Sequence, residues 1–242
     1  MADHAGTTGP RKRRARLRFG GIGSAERVCK AEGIWPVVGT DEAGRGPLAG
    51  PVVAAAVLLK PGARLPGLDD SKKLDEHARE ALFPLVQRQS LAWAIAEASP
   101  AEIDELNILW ASMAAMRRAV EDVLDQLGTS AATTPVDGPL FASARPQMVL
   151  VDGNRPIPGF DALPQRPLVQ GDSRSRAIAA ASILAKVHRD RWMVQADADH
   201  PGYGFAQHKG YPTPTHLAAL AELGPSPLHR RSFRPVREAL AR

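Results

Sequence analysis

The chain has one cysteine, Cys29, in 242 residues. A single thiol excludes a disulfide framework and any cysteine-based metal cluster. No apolar run approaches the ~18–20 residues with which a helix spans a bilayer. There is no His-Glu-x-x-His run, so the familiar helical zinc site is missing. Gly 21 and Pro 21 together fall short of the ~25–30% that marks low-complexity disorder. A collagen, a coiled coil, a disulfide-stapled miniprotein and a membrane span are thereby excluded. The N-terminal basic run is followed by no apolar stretch, so a secretory leader is not expected. We expect a cytoplasmic protein that makes no membrane contact.

Hydrophobic residues at 44% and charged residues at 24% are ordinary for a globular protein, and the length suffices for a full core. The charge is uneven. Arg11, Lys12, Arg13, Arg14, Arg16, Arg18, Arg27 and Lys30 face only Asp3 and Glu26 within residues 1–30. Arg230, Arg231, Arg234, Arg237 and Arg242 crowd the C-terminal end against Glu238. The segment between is mildly acidic. Basic ends suit a polyanion such as nucleic acid, and an acidic body suits a cation-binding cluster. The same N-terminal run also reads as a solvated tail without a specific role. Gly21-x-Gly23 does not begin a dinucleotide loop: Glu26 takes the place of the last glycine, and no strand precedes it.

The ordered domain is expected to begin near Trp35. Val37–Thr40 and Pro51–Leu59 read as strands joined by a Gly-rich connection, hence as antiparallel neighbours. Leu91–Ala98 reads as a third strand. Ser99-Pro100-Ala101-Glu102 carries a capping box with proline at the first helical position. Helical spacing then runs from Ile103 to Leu127, with Gly128 as the stop. The segment 128–146 reads as a surface loop. Met148–Val151 and Leu168–Gln170 are two further strands. Arg174–Ala196 is a helix with a small-residue face at Ala177, Ala180, Ala181 and Ala185, and a last short helix falls near Thr215–Leu223. Interspersed strands and helices with one hairpin indicate an α/β protein with a mixed sheet.

Four acids sit at strand ends. Asp41 and Glu42 close one strand, Asp152 closes another, and Asp172 follows a third just before a helix. Taken singly, Asp152-Gly153 is a turn dipeptide and Asp172 is a favoured helix cap. Two adjacent charges at the end of an apolar strand are harder to dismiss, because alternation turns one of them inward. Carboxylates brought together repel one another unless paired, and oxygen-only donors favour Mg²⁺ or Mn²⁺ over zinc.

The stretch Gly39-Thr-Asp-Glu-Ala-Gly-Arg-Gly-Pro-Leu-Ala-Gly-Pro-Val-Val resembles the signature of bacterial ribonuclease HII. So do Asp70-Ser-Lys-Lys-Leu, Ile103-Asp-Glu-Leu-Asn-Ile-Leu, Val151-Asp-Gly-Asn, Gly171-Asp-Ser-Arg-Ser, Ala179-Ala-Ala-Ser-Ile-Leu-Ala-Lys-Val, His208-Lys-Gly-Tyr-Pro-Thr and His229-Arg-Arg-Ser-Phe. These blocks run in family order from about residue 35 to 238. The resemblance implies the ribonuclease H-like fold: a five-stranded mixed sheet flanked by helices, with a helical C-terminal region. It divides the chain into a basic, flexible tail, residues 1–34, and a catalytic domain, residues 35–242, with 128–146 as a loop insertion.

It implies an endonuclease, a type II ribonuclease H, acting as a monomer on RNA–DNA hybrids and on ribonucleotides embedded in duplex DNA. Such an enzyme serves ribonucleotide excision repair and leaves 5′-phosphate and 3′-hydroxyl ends. Matched to this sequence, the catalytic and metal-binding acids are Asp41, Glu42, Asp152 and Asp172, with Mg²⁺ or Mn²⁺ as the ion. The substrate-binding residues are Gly44, Arg45, Gly46 and the junction-sensing Tyr211. Lys72, Lys73, Lys209, Arg230 and Arg231 could reach phosphates, though each alone reads as a solvated charge. A DNA-junction nuclease on the same fold and a non-catalytic nucleic-acid binder are the rivals. The Gly44–Gly46 turn with Tyr211 argues against the first, and the full set of four acids against the second.

Overall fold

The computed structural model describes residues 20–128 and 145–241. Five strands form one mixed sheet in the order β3-β2-β1-β4-β5. They are β1 (Val37–Ala43), β2 (Val52–Leu59), β3 (Ser90–Ala98), β4 (Met148–Asp152) and β5 (Gln165–Leu168). β1–β2 and β2–β3 are antiparallel, and β1–β4 and β4–β5 are parallel. The expected hairpin, mixed sheet and flanking helices are all present.

β2 is buried along its whole length, and the period-two alternation explains why. Val52, Ala54, Ala56 and Leu58 face one hydrophobic layer, with Ala111, Ala115, Met116 and Val123. Val53, Ala55, Val57 and Leu59 face a second layer, with Leu82, Phe83, Ala181 and Leu184. A strand covered on both faces has no polar side, so its sequence is continuously apolar. The first layer comes from α3 (Pro100–Leu106) and α4 (Ile108–Gln126). The second comes from α2 (Glu76–Gln89) and the long α5 (Arg176–Asp199).

The small-residue face of α5 lets it press onto β1. A Cβ on Gly39 would lie 2.3 Å from the backbone of Ala177 and Ile178, so only glycine fits there. The capping box at Ser99 is formed, with Glu102 N–H donating to Ser99 Oγ and Ser99 N–H donating to Glu102 Oε2. The single helix expected from Ile103 to Leu127 is broken at Asn107, whose φ is 66°. Asn107 Oδ1 accepts from the N–H groups of Leu109 and Trp110 and starts α4 afresh. α2 was not anticipated; Asp75 caps it, and Pro84 inside it interrupts the pattern.

The ordered body begins before Trp35. Helix α1 (Ser24–Ala31) inserts Ala25 and Cys29 among Val37, Met148, Leu150, Leu168 and Ile178. Glu26 Oε1 accepts from Ser175 Oγ and Ala177 N–H, holding the first turn of α5. Residues 24–34 thus pack on the domain rather than belonging to a tail. The arginines from Arg11 to Arg18 lie outside the described residues, as does the 128–146 loop apart from its ends. β5 lies slightly earlier than expected, because Gln170, at φ 55°, already turns into a 3₁₀ segment, Gly171–Ser173. The C-terminal region adds α6 (Phe205–His208), α7 (Pro214–Leu223) and α8 (Arg234–Leu240). Among the described residues no helix is long and apolar enough to cross a membrane.

Candidate active site

The strand register brings the acids together. In β1–β4 the parallel pairing ends at Thr40 opposite Val151. The next residues, Asp41 and Asp152, therefore stand side by side at the ends of central strands. Asp152 also pairs with Leu168 of β5, which puts the Gly171–Ser173 turn just beyond it. Gly171 N–H donates to Asp152 Oδ1 at 2.7 Å. Ser173 N–H donates to Asp172 Oδ1 at 2.8 Å, and Glu42 N–H to Asp41 Oδ1 at 2.7 Å. Each aspartate thus has one oxygen fixed by a backbone amide. Glu42 Oε1 accepts instead from Arg45 Nη1 at 3.1 Å.

Asp172 does not cap the following helix. Ser175 does so, its side chain accepting from Ile178 N–H. Asp152 also holds a distant part of the chain, since its carboxylate accepts from the Gly171 N–H. The helix-cap reading of Asp172 therefore fails on geometry.

The electrostatics bind all four acids into one cluster. Burial pushes the Asp41 carboxyl well above its ordinary range, and the charges of Glu42 and Asp152 push it further. Glu42 is raised by burial, against the opposing pull of Arg45. Asp152 is raised by burial, resisted by the Gly171 amide and reinforced by Asp172. Asp172 is raised by burial and by Asp70, against Lys72. Lys72 Nζ stands 3.6 Å from Asp172 Oδ2. Desolvation alone would lower Lys72, yet Asp172, Asp41, Asp70 and Asp152 together hold it above its usual value.

These observations answer whether a divalent cation fits. The donors are acceptor-only oxygens, aligned by backbone amides and destabilised by one another. Their combined field already acts on the Lys72 ammonium at their edge. Among the described residues no three acidic, imidazole or thiol groups are drawn close enough to hold an ion alone. The fit rests on the donor type: oxygen-only carboxylates suit Mg²⁺ or Mn²⁺, ions that commonly take phosphate and water for the rest of their coordination.

Glu42 opens onto a cleft lined also by Gly44, Arg45, Gly46, Ser71, Lys72, Lys186 and Tyr211. A second hollow, lined by Asp70, Lys72, Asp152 and Asp172, adjoins it, and Lys72 belongs to both. Gly44 has φ 95°, a left-handed conformation that favours glycine. A Cβ on Gly46 would lie 3.5 Å from Tyr211 Cε1, so the missing side chain leaves space between the turn and the tyrosine. Tyr211 leaves 42% of its surface exposed. Of the eight residues expected from the sequence, Glu42, Gly44, Arg45, Gly46 and Tyr211 line the cleft, Asp152 and Asp172 line the adjoining hollow, and Asp41 is buried beside Asp152 at the strand ends. Sequence reasoning missed Asp70 and the Ser71–Ser182 hydroxyl pair at 2.8 Å, although both serines lie in quoted motif blocks. Arg230 is no surface charge: it is 0% exposed.

The family model for Ribonuclease HII matches residues 38–236. The ribonuclease H2 of Pyrococcus horikoshii OT3 matches with a TM-score of 0.59 and 25% identity, over 84% of this chain and 96% of that one. The RNase HII of Archaeoglobus fulgidus, solved with PCNA, gives 0.63 and 24%, over 83% and 96%. Bst RNase HIII, solved with Mn²⁺, gives 0.62 and 18%, over 85% and 69%. The last two, at their lower identities, bear on the fold alone. With the family match spanning most of its length on a ribonuclease H-like fold, this chain belongs to the ribonuclease HII family and is a ribonuclease H, an enzyme of RNA–DNA hybrids.

Proposed function

We propose that the chain hydrolyses the RNA strand of hybrids and also incises at ribonucleotides embedded in duplex DNA, leaving 5′-phosphate and 3′-hydroxyl ends. One observation carries this reading. Glu42 lines one cleft with the Gly44–Gly46 turn and the exposed Tyr211, and Lys72 joins that cleft to the hollow that holds Asp152 and Asp172. Asp41, central in the sheet, would hold divalent ions together with Glu42, Asp152 and Asp172. A bound Mg²⁺ or Mn²⁺ would supply Lewis acidity for the attacking water and charge neutralisation for the leaving oxygen. The chain's own part is to hold and orient. The backbone amides align the aspartates, and Arg45 holds Glu42 at the cleft's edge. The Gly44–Gly46 backbone lets a sugar approach closely enough for its 2′-hydroxyl to be read, the group that separates RNA from DNA. Tyr211 offers a flat face to the next sugar, which a 2′-hydroxyl would obstruct.

Tyr211→Ala tests this division of labour. The variant should lose roughly 5- to 150-fold on a duplex with one ribonucleotide, the equivalent of about 1–3 kcal/mol of stacking. On a continuous hybrid the loss should be smaller, because no deoxyribose follows the cut. Rates for both substrates with wild type and variant decide it; equal losses would leave Tyr211 as a packing residue.

A further inference from the structure

Arg189 and Arg230 are both buried, at 1% and 0% exposure. Burying a guanidinium is costly, and proteins normally offset the cost with a carboxylate. Here every hydrogen bond recorded for the two groups goes to a backbone carbonyl. Arg230 Nη2 donates to Gly44 O at 2.7 Å and to Pro51 O at 3.1 Å, Nη1 to Arg45 O at 3.2 Å, and Nε to Gly50 O at 2.9 Å. Arg189 donates to the carbonyls of Pro51, Ala49 and Lys209, each at 3.0 Å. Burial lowers Arg189 to about 10 and Arg230 to about 9, so both remain cations at neutral pH. A planar fork with several donors is what a cluster of converging carbonyls requires, and lysine cannot supply it.

The neighbouring residue reaches the other side of the cleft. His229 Nδ1 accepts from Ser226 N–H at 3.0 Å, so the proton of the neutral ring is on Nε2. Nε2 then donates to His216 Nε2 at 3.1 Å, and His216 Nδ1 donates to Tyr211 O at 2.9 Å. Burial lowers His229 to about 4 and lowers His216 as well, which agrees with this neutral relay. The backbone joins the same parts. Arg230 N–H donates to Leu48 O, and Leu48 N–H donates to Gly210 O, each at 2.8 Å. His229 also forms a β-bridge with Ala49.

We propose that His229 and Arg230 are positioning residues for sugar discrimination. Arg230 sets the backbone of the Gly44–Gly46 turn, and His229, through His216, sets the backbone of Tyr211. Two consecutive side chains that never touch substrate thereby fix the spacing between the reader of the 2′-hydroxyl and the reader of the deoxyribose. This rests on the reading of Gly44–Gly46 and Tyr211 given under Proposed function. Arg230→Lys removes the fork from the turn and should slow both substrates. His229→Phe keeps an aromatic ring but breaks the relay, and should harm only the substrate that Tyr211 senses.

The test uses the full chain as wild type, Arg230→Lys and His229→Phe, with folded fractions from circular dichroism. kcat and KM are measured on a duplex with one ribonucleotide and on a continuous RNA–DNA hybrid. Arg230→Lys is expected to lose about tenfold or more in kcat on both substrates, the scale of a slightly misplaced reacting group. His229→Phe is expected to lower the single-ribonucleotide to hybrid ratio by about tenfold, within the range for a displaced stacking platform. An unchanged ratio in His229→Phe, an undiminished kcat in Arg230→Lys, or losses that merely follow the folded fraction overturn the proposal. Amide exchange on the wild type tests it without any variant. Residues 44–50 and 209–211 should open as one unit, and independent opening contradicts the coupling. Failure of the wild type to cut the single-ribonucleotide duplex would instead sink the functional reading beneath it.

Discussion

Asp41→Asn should abolish cleavage and, at the same time, make the metal-free protein more stable. The activity loss should be roughly 10²-fold or more, the scale expected when a preorganised electrostatic group is removed. The stability gain follows from the sign of the shift. Burial first, then Glu42 and Asp152, raises the Asp41 carboxyl well above its ordinary range. A group whose folded pKa is raised opposes folding when ionised at neutral pH, and the opposition fades as pH falls through that raised value. Asparagine removes the charge while keeping the shape. A gain of about 1 kcal/mol corresponds to about 2–4 °C in a chain of this size. Thermal melts with a chelator present measure it. A lower melting temperature for Asp41→Asn would show that the carboxylate stabilises the fold rather than waiting for a cation.

The second large effect separates two identical tripeptides. Val136-Asp137-Gly138 and Val151-Asp152-Gly153 both occur in the chain. Asp152 ends β4 beside Asp41 and accepts from Gly171 N–H, whereas Asp137 lies outside the described residues. Asp152→Asn should lose roughly 10²-fold or more in activity, on the same electrostatic ground, and Asp137→Asn should remain near wild type. Specific activity of the two purified variants decides it. An inactive Asp137→Asn beside an active Asp152→Asn would reverse the assignment.

The acids were legible because charge at the end of an apolar strand is costly unless it has a use, and that cost shows in local sequence. What made them a site was not legible: it is the parallel register of β1 and β4, a long-range pairing. The Ala face of α5 and the capping box at Ser99 were readable for the same local reason. Asn107 was missed because helical spacing continues through it, and only its φ of 66° separates α3 from α4. The packing of α1 was masked by the cations beside it, although Ala25 and Cys29 fill a core position. Arg230 looked like one more charge in a basic C-terminal run. Its burial follows from carbonyls supplied by residues 44–51, which nothing near it in sequence announces.

The most direct test of the account is cleavage of a DNA duplex carrying one ribonucleotide, beside the same duplex made wholly of DNA. With Mg²⁺ or Mn²⁺, the account predicts a single cut on the 5′ side of the ribonucleotide, no cut in the all-DNA duplex, and no cut in either with a chelator. Cleavage of the all-DNA duplex, or ribonucleotide cleavage that survives the chelator, would contradict it.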